Sequence, residues 1–303
     1  MLFTSVQSLI SFFFIFILMG ILIYLMSPPL LENHLAGVLI LAALGSMTAP
    51  LSIGRIIIEN RIKGRLSHFL QFVSGLDGFW GICIAGISIV FFRETFSPWF
   101  SSGWWWLILA VMVSVLIGLI FRYLIRLQFE AEEIFLLVLG LVIFTSGVGY
   151  YLKLSPIFMN MIVGMTIAQF HRESEKVLRV IQAAEKPTYL FLLVFAGAYW
   201  NYQFWEEILL IIAFILFRFL GKYAGGWIGA RKINLDFDVP PDVGKAMLSF
   251  GGISLAIAFN FQLTLGGFMG DFIMSATILA ILVFDEYTAL SILNILRRQG
   301  EIS

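Results

Sequence analysis

Cysteine is almost missing. Cys83 stands alone, inside an apolar block, which excludes a disulfide framework and a cysteine zinc site. It reads as a small buried hydrophobe. Charge is scarce as well: 13% of the 303 residues are Asp, Glu, Lys or Arg, against about 25% in an ordinary soluble domain. The charges cancel, 19 basic against 19 acidic, so there is no basic footprint for nucleic acid. Histidine is limited to His34, His68 and His171, all near the ends of apolar segments. No histidine cluster, Ser/Lys dyad or paired intramembrane acids stands out, so neither an enzyme nor a cofactor is expected. The opening MLFTSVQ carries no Lys or Arg, and no small-residue cleavage signature follows it. It reads as the start of a first span and not as a cleaved signal.

What is present is apolar. Hydrophobic residues make up 60% of the chain, in blocks near the ~20 residues that cross a hydrocarbon core. Ten segments are expected, near 7–30, 36–56, 66–92, 103–125, 133–152, 155–170, 187–203, 207–230, 243–262 and 267–287, followed by a polar tail over 287–303. The fold class is all-α, a polytopic membrane protein in contact with the lipid bilayer. The connections near 171–186 and 231–243 are too short to fold alone, so 1–303 reads as a single membrane-embedded domain.

Basic residues gather in alternate connections. Arg55, Arg61, Lys63, Arg65, Arg122, Arg126, Arg172, Lys176, Arg179, Lys186, Arg231, Lys232, Lys245, Arg297 and Arg298 fall in one set, and Arg93 and Lys153 in the other. Cytoplasmic loops carry the Lys/Arg excess, so both termini are expected in the cytoplasm, with a bacterial inner (plasma) membrane as the location. Trp99 and Trp104 to Trp106 suit an interfacial aromatic belt.

Polar residues inside spans are costly, and an intramembrane acid marks a site by default. Asp77, in SGLDG, lies about 16 Å into the third segment at 1.5 Å per residue, near mid-membrane. Ser74 is one turn away on much the same face. The second segment contains SMTAP, where Pro50 breaks the ladder and Thr48 adds a hydroxyl beside Ala49. The ninth contains Gly251 and Gly252 between Ser249 and Ser254, a pair that weakens a helix by about 1 kcal/mol each relative to Ala. In the eighth, Arg218 and Lys222 are one turn apart; snorkelling to the headgroups competes with a role as fixed cations that neutralise the acid. The interrupted segments are each the middle one of a trio, and the trios run in opposite senses. Broken helices in inverted halves point to a transporter's binding site. The reading is therefore an inverted repeat with two broken, crossing helices: a first half at 7–93, scaffold helices at 103–203 and a second half at 207–298.

On these residues the chain resembles the cation/proton antiporter superfamily, of the sodium/hydrogen exchanger type. SMTAP resembles its unwound-helix motif, and SGLDG its Asn-Asp or Asp-Asp motif with Asp77 as the essential carboxylate. FLGKYAGGWIGAR is similar to the helix whose Lys or Arg supports the site, with Lys222 in that place. MLSFGGIS and the closing LRRQGEI resemble the second broken helix and the last helix. Leu76 stands where the family has Asn or Asp, and Phe250, Gly251 and Gly252 where many members carry Arg-Gly-Glu. The family usually places further helices ahead of the first span seen here.

The resemblance implies exchange of Na+ or K+ for H+ by alternating access, and a homodimer. Asp77 would hold the metal cation transiently, with Thr48, Ser74 and carbonyls freed around Pro50 supplying oxygens. Ala49, Pro50, Gly251 and Gly252 would line the site, and Lys222 and Arg218 would compensate charge. With Leu76 in place of a second acid, one proton per cation and no net charge movement are expected. The alternatives are a degenerate, non-transporting membrane subunit or sensor of the same fold, or a cation channel or uniporter.

Overall fold

Lipid offers no hydrogen-bond partners, so each spanning segment must satisfy its own backbone. The computed structural model describes residues 1–26, 28–92, 102–125, 131–200, 205–233, 237–264 and 266–302, with backbone but not side chains at 28–34, 131–132, 171–174, 176, 185 and 205–207. Arg93, Trp99 and Arg126, and the side chains of His34, His171, Arg172 and Lys176, lie outside the described residues.

Among the described residues the chain is helical, with no strand. In order come α1 (Leu2–Met26), α2 (Pro28–Ser46), α3 (Pro50–Glu59), α4 (Arg65–Phe92), α5 (Gly103–Ile125), α6 (Ala131–Tyr151), α7 (Pro156–Ala168), α8 (His171–Tyr199) and α9 (Trp205–Lys232). A short 3₁₀ helix (Val243–Met247) precedes α10 (Gly252–Thr264) and α11 (Gly267–Arg298). Seven described spans are long and apolar enough to cross a bilayer, α2 and α3 together forming one of them, Leu35–Glu59; α7 and α10 are shorter apolar helices. The protein is polytopic and membrane-embedded.

Several boundaries differ from the sequence reading. α1 starts at Leu2 and stops at Met26, because Pro28 and Pro29 open the next helix, a position where a missing N–H costs nothing. The connection at 171–186 is helical, and α8 runs through Pro187 without ending. The expected tail at 287–303 is mostly helix: α11 continues to Arg298 because Ile292, Ile295 and Leu296 bury one face. Asp285 and Glu286 lie within α11. Cys83 is half-buried and not enclosed.

The chain divides into two compact units, one of Met1–Ala85 with Ala198–Ser303 and the other of Gly86–Gly197. In the second, α5, α6 and α7 pack together around Phe121, Val138 and Val163. An apolar cleft of about 430 Å³ between α5 and α6 is lined by Ile117, Leu137 and Phe144 among others and carries no charged group.

The first unit is built around α1, which is inside-out relative to a soluble helix. Thr4, Gln7, Ser8 and Ser11 are buried, at the i, i+3, i+4, i+7 spacing that makes one helical face. Leu9, Phe13, Ile17 and Ile21 are exposed on the other side. Apolar burial cannot drive helices together in lipid, so close approach through small residues matters more. α9 supplies it with Gly221, Gly225 and Gly229: a Cβ at Gly225 would sit 2.7 Å from Gln7 O. Ser11 Oγ donates to Gly221 O at 3.0 Å across that contact.

A second cluster ties α3, the start of α4, the 3₁₀ helix and the end of α11 together through Ile53, Leu66, Leu70, Met247, Ile292 and Ile295. Beside it, Glu301 caps α4. Its carboxylate accepts from Leu66 N at 2.6 Å and Ser67 N at 3.0 Å, where a helix start offers free N–H groups and favours negative charge.

Candidate functional site

Two helix interruptions meet in the first unit. α2 ends at Ser46 and α3 begins at Pro50, leaving 47–49 non-helical. Pro50 opens α3 after an extended Ala49 (φ −81°, ψ 110°). The other interruption, at 248–251, separates the 3₁₀ helix from α10. Ala49 N donates to Ser249 O at 3.1 Å, and Ser249 Oγ donates to Ala49 O at 3.3 Å. A Cβ on Gly251 would lie 2.7 Å from Ala49 Cβ, so the approach requires glycine there. Gly252 is the first residue of α10.

Carbonyls at both breaks accept from Arg218. Its guanidinium donates to Leu44 O (3.3 Å), Gly45 O, Met47 O (2.9 Å), Leu248 O (2.9 Å) and Ser249 O (3.1 Å). It also stacks over the Phe250 ring at 3.9 Å. Of the two sequence alternatives for Arg218, snorkelling does not hold. Arg218 is fully buried, and its hydrogen bonds go to carbonyls at helix ends, which leave partial negative charge. Of the carbonyls around Pro50, Met47 O accepts from Arg218 and Ala49 O from Ser249 Oγ. Phe250 thus offers its ring face to a guanidinium supplied by α9.

Asp77 sits beside this junction with no exposed surface. Its Oδ2 accepts from Thr48 Oγ1 at 2.6 Å and from Lys222 Nζ at 2.7 Å, and its Oδ1 accepts from Ser8 Oγ. Lys222, also fully buried, donates to Thr48 Oγ1 at 2.8 Å. Thr48 Oγ1 also lies 3.0 Å from Met247 O, so its single proton goes to one acceptor at a time while its lone pairs face Lys222. A buried pair of this kind is tolerable only when its remaining lone pairs and protons are satisfied, and here they are.

Gln7 completes the cluster. Its amide is assigned by hydrogen bonding. The nitrogen donates to Asp77 Oδ1 and Oδ2 at 3.2 and 3.3 Å, and the oxygen accepts from Lys222 Nζ at 3.1 Å. Ser74 is buried but turned away: its hydroxyl donates to Gln71 O at 2.8 Å and not to Asp77.

The structure thus brings together Asp77, Thr48 and Lys222 from the sequence reading, with Ala49, Pro50, Gly251 and Gly252 at the adjoining breaks. It leaves Ser74 out and gives Arg218 different partners. Gln7 and Ser8 escaped the sequence reading, although the polar stripe at positions 4, 7, 8 and 11 in an apolar helix was a signal for them. No three His, Cys, Asp or Glu side chains converge among the described residues. The cluster holds one acid, one base and neutral oxygens in a place shut off from water.

Comparison with known proteins agrees in kind. The ammonium/H+ antiporter subunit AmhT of Alkalihalophilus pseudofirmus is 26% identical over 155 residues. That match covers 51% of this chain and 40% of the relative, so the chain spans less than half of the relative's length. The family described as sodium/hydrogen exchanger, transmembrane, matches residues 4–287, which include every side chain of the cluster. The chain belongs to the sodium/hydrogen exchanger family of transmembrane proteins.

Proposed function

We propose that the chain exchanges a monovalent cation, Na+ or K+, for a proton at Asp77, by alternating access and without net charge movement. The observation that carries this reading is the buried Asp77–Lys222 pair beside two abutting helix interruptions. A cation that takes Oδ2 displaces the Lys222 ammonium, which gives up one proton to water on the open side, so cation and ionised lysine compete for one carboxylate. With one acid and one base and no second acid at Leu76, the loaded forms differ by one proton per cation and carry the same net charge. Thr48 and Ser8 hydroxyls replace part of the lost hydration. All these groups are closed off in the present conformation, so transport requires opening to one side at a time, as broken-helix transporters do. Each pH unit across the membrane supplies about 1.4 kcal/mol per proton. The family membership and the partial relative, named for ammonium/proton antiport, support coupling of a monovalent cation to protons. Both termini on the cytoplasmic side and a homodimeric assembly belong to the same proposal.

The test is proton flux into proteoliposomes after sodium or potassium pulses, with the membrane potential clamped at several values. Wild type should show cation-dependent flux that ignores the potential. Asp77→Asn should abolish it, and so should Asp77→Asn/Lys222→Met, which removes both charges together and keeps the site neutral. Flux that persists in both variants refutes the site; flux that follows the potential refutes electroneutrality.

A second reading, a non-transporting subunit or sensor, draws on Leu76 and on Phe250, Gly251 and Gly252 in place of the family's polar motifs, and on the relative's being a subunit. A folded protein silent in every pulse favours it. Current without coupled protons favours a channel.

A further inference from the structure

The Lys222 ammonium reports the size of the cavity it fills. Nζ lies 2.7 Å from Asp77 Oδ2, 2.8 Å from Thr48 Oγ1 and 3.1 Å from Gln7 Oε1. The three acceptors come from α4, from the break between α2 and α3, and from α1. All three residues are buried. We propose that this three-oxygen cradle is the cation subsite and that it selects an ammonium-sized cation, ammonium itself or potassium, over sodium and lithium. Gln7 is its third ligand and the specificity-determining residue. The proposal rests on the exchange reading of the same site and adds the substrate class.

The distances decide the size. They are those of N–H···O hydrogen bonds, ~2.7–3.2 Å, whereas a hard cation such as Ca²⁺ takes oxygens at about 2.3–2.6 Å. Sodium, close to calcium in radius, needs similarly short contacts, and lithium shorter ones. Potassium and ammonium fit the observed spacing without moving an oxygen.

The cradle is also poorly able to contract. The Gln7 backbone is held against Gly225 of α9, where even a methyl group has no room. Ser11 Oγ lies 2.9 Å from Gln7 O and 3.0 Å from Gly221 O, and its one proton goes to either carbonyl. The Gln7 amide nitrogen is anchored on Asp77, which aims its oxygen into the cavity. Thr48 stands between Met47 and Ala49, whose backbones are tied to Arg218 and Ser249. Two of the three oxygens are neutral, so the field is weaker than that of a site with two carboxylates. Sodium and lithium, which hold their water more tightly, gain less from such a site than they lose on dehydration.

The experiment compares K+, Rb+, Na+ and Li+ pulses on proteoliposomes of the 303-residue chain, reading proton flux. Ammonium is tested as a competitor of radioactive rubidium uptake, because free ammonia crosses bilayers. The expected apparent KM for K+ and Rb+ lies at least about tenfold below that for Na+ and Li+, with ammonium competing in the potassium range; tenfold corresponds to about 1.4 kcal/mol. Gln7→Ala and Gln7→Met, each checked to be folded by its circular dichroism, should raise the rubidium KM and narrow the gap to sodium. A KM for sodium equal to or below that for potassium overturns the size selection and leaves exchange at Asp77 standing. Gln7 variants with unchanged KM values and unchanged selectivity overturn the role of Gln7. Absence of proton flux with every cation, in folded protein, removes the exchange reading itself.

Discussion

Asp77 and Lys222 neutralise each other where neither touches water, and that fixes how the site responds to substitution. Removing one member of a buried pair leaves an uncompensated charge, at a cost of about 3–5 kcal/mol, whereas replacing both by neutral groups is often nearly free. Lys222→Met alone should therefore lower thermal stability strongly, and Asp77→Asn/Lys222→Met should regain most of it. Additive losses in that cycle would show that the pair is not what holds the two side chains in place. Arg218 is a different case. Arg218→Met strands several buried carbonyls, each worth about 1–3 kcal/mol when left without a donor, so a loss of about 3 kcal/mol or more is expected in the unfolding midpoint. Arg218→Lys should recover only part, since one ammonium lacks the planar fork of five donors that here reaches both breaks. Asp77, Thr48 and Lys222 were legible in the sequence because charge and hydroxyls in apolar segments are rare. The partners of Arg218 were not legible: backbone carbonyls have no residue-type signature, and only the third dimension brings Leu44, Gly45, Met47, Leu248 and Ser249 to one guanidinium.

At the scale of elements, the site depends on how closely α1 and α9 approach. Gly221, Gly225 and Gly229 recur every fourth residue on α9, and α1 lies in the groove they leave. Overpacking a tight contact costs about 1–3 kcal/mol. Gly225→Ala should therefore push Gln7 away from the cluster and raise the cation KM while leaving Asp77 in place; an unaltered KM would separate Gln7 from substrate binding. α4, which carries Asp77, is capped in turn by Glu301. Loss of a cap typically costs about 1 kcal/mol, so Glu301→Ala should lower the unfolding midpoint modestly with the site intact. Most helices were readable from apolar blocks near 20 residues. The errors were systematic. α8 and α11 run on past their apolar stretches, at 171–186 and beyond 287, because helix persists where polar and apolar residues share a face pattern. α1 starts earlier than its apolar run because Gln7 and Ser8 are buried in protein and not exposed to lipid. A polar stripe on a membrane helix is a packing face, and reading MLFTSVQSLIS that way would have brought α1 into the site.

At the scale of the molecule, the central claim is that one cation and one proton exclude each other at a single carboxylate. Exchange without net charge movement, as proposed, requires that Lys222 lose one proton for each cation taken up. The most direct measurement is the number of protons released per cation bound. Calorimetric titration of the purified chain with potassium at neutral pH, in buffers of different ionisation enthalpy, gives that number. One proton released per potassium bound, and neither binding nor release in Asp77→Asn/Lys222→Met, is the expected result. Potassium binding that releases no proton, or that survives the loss of both charges, would contradict it.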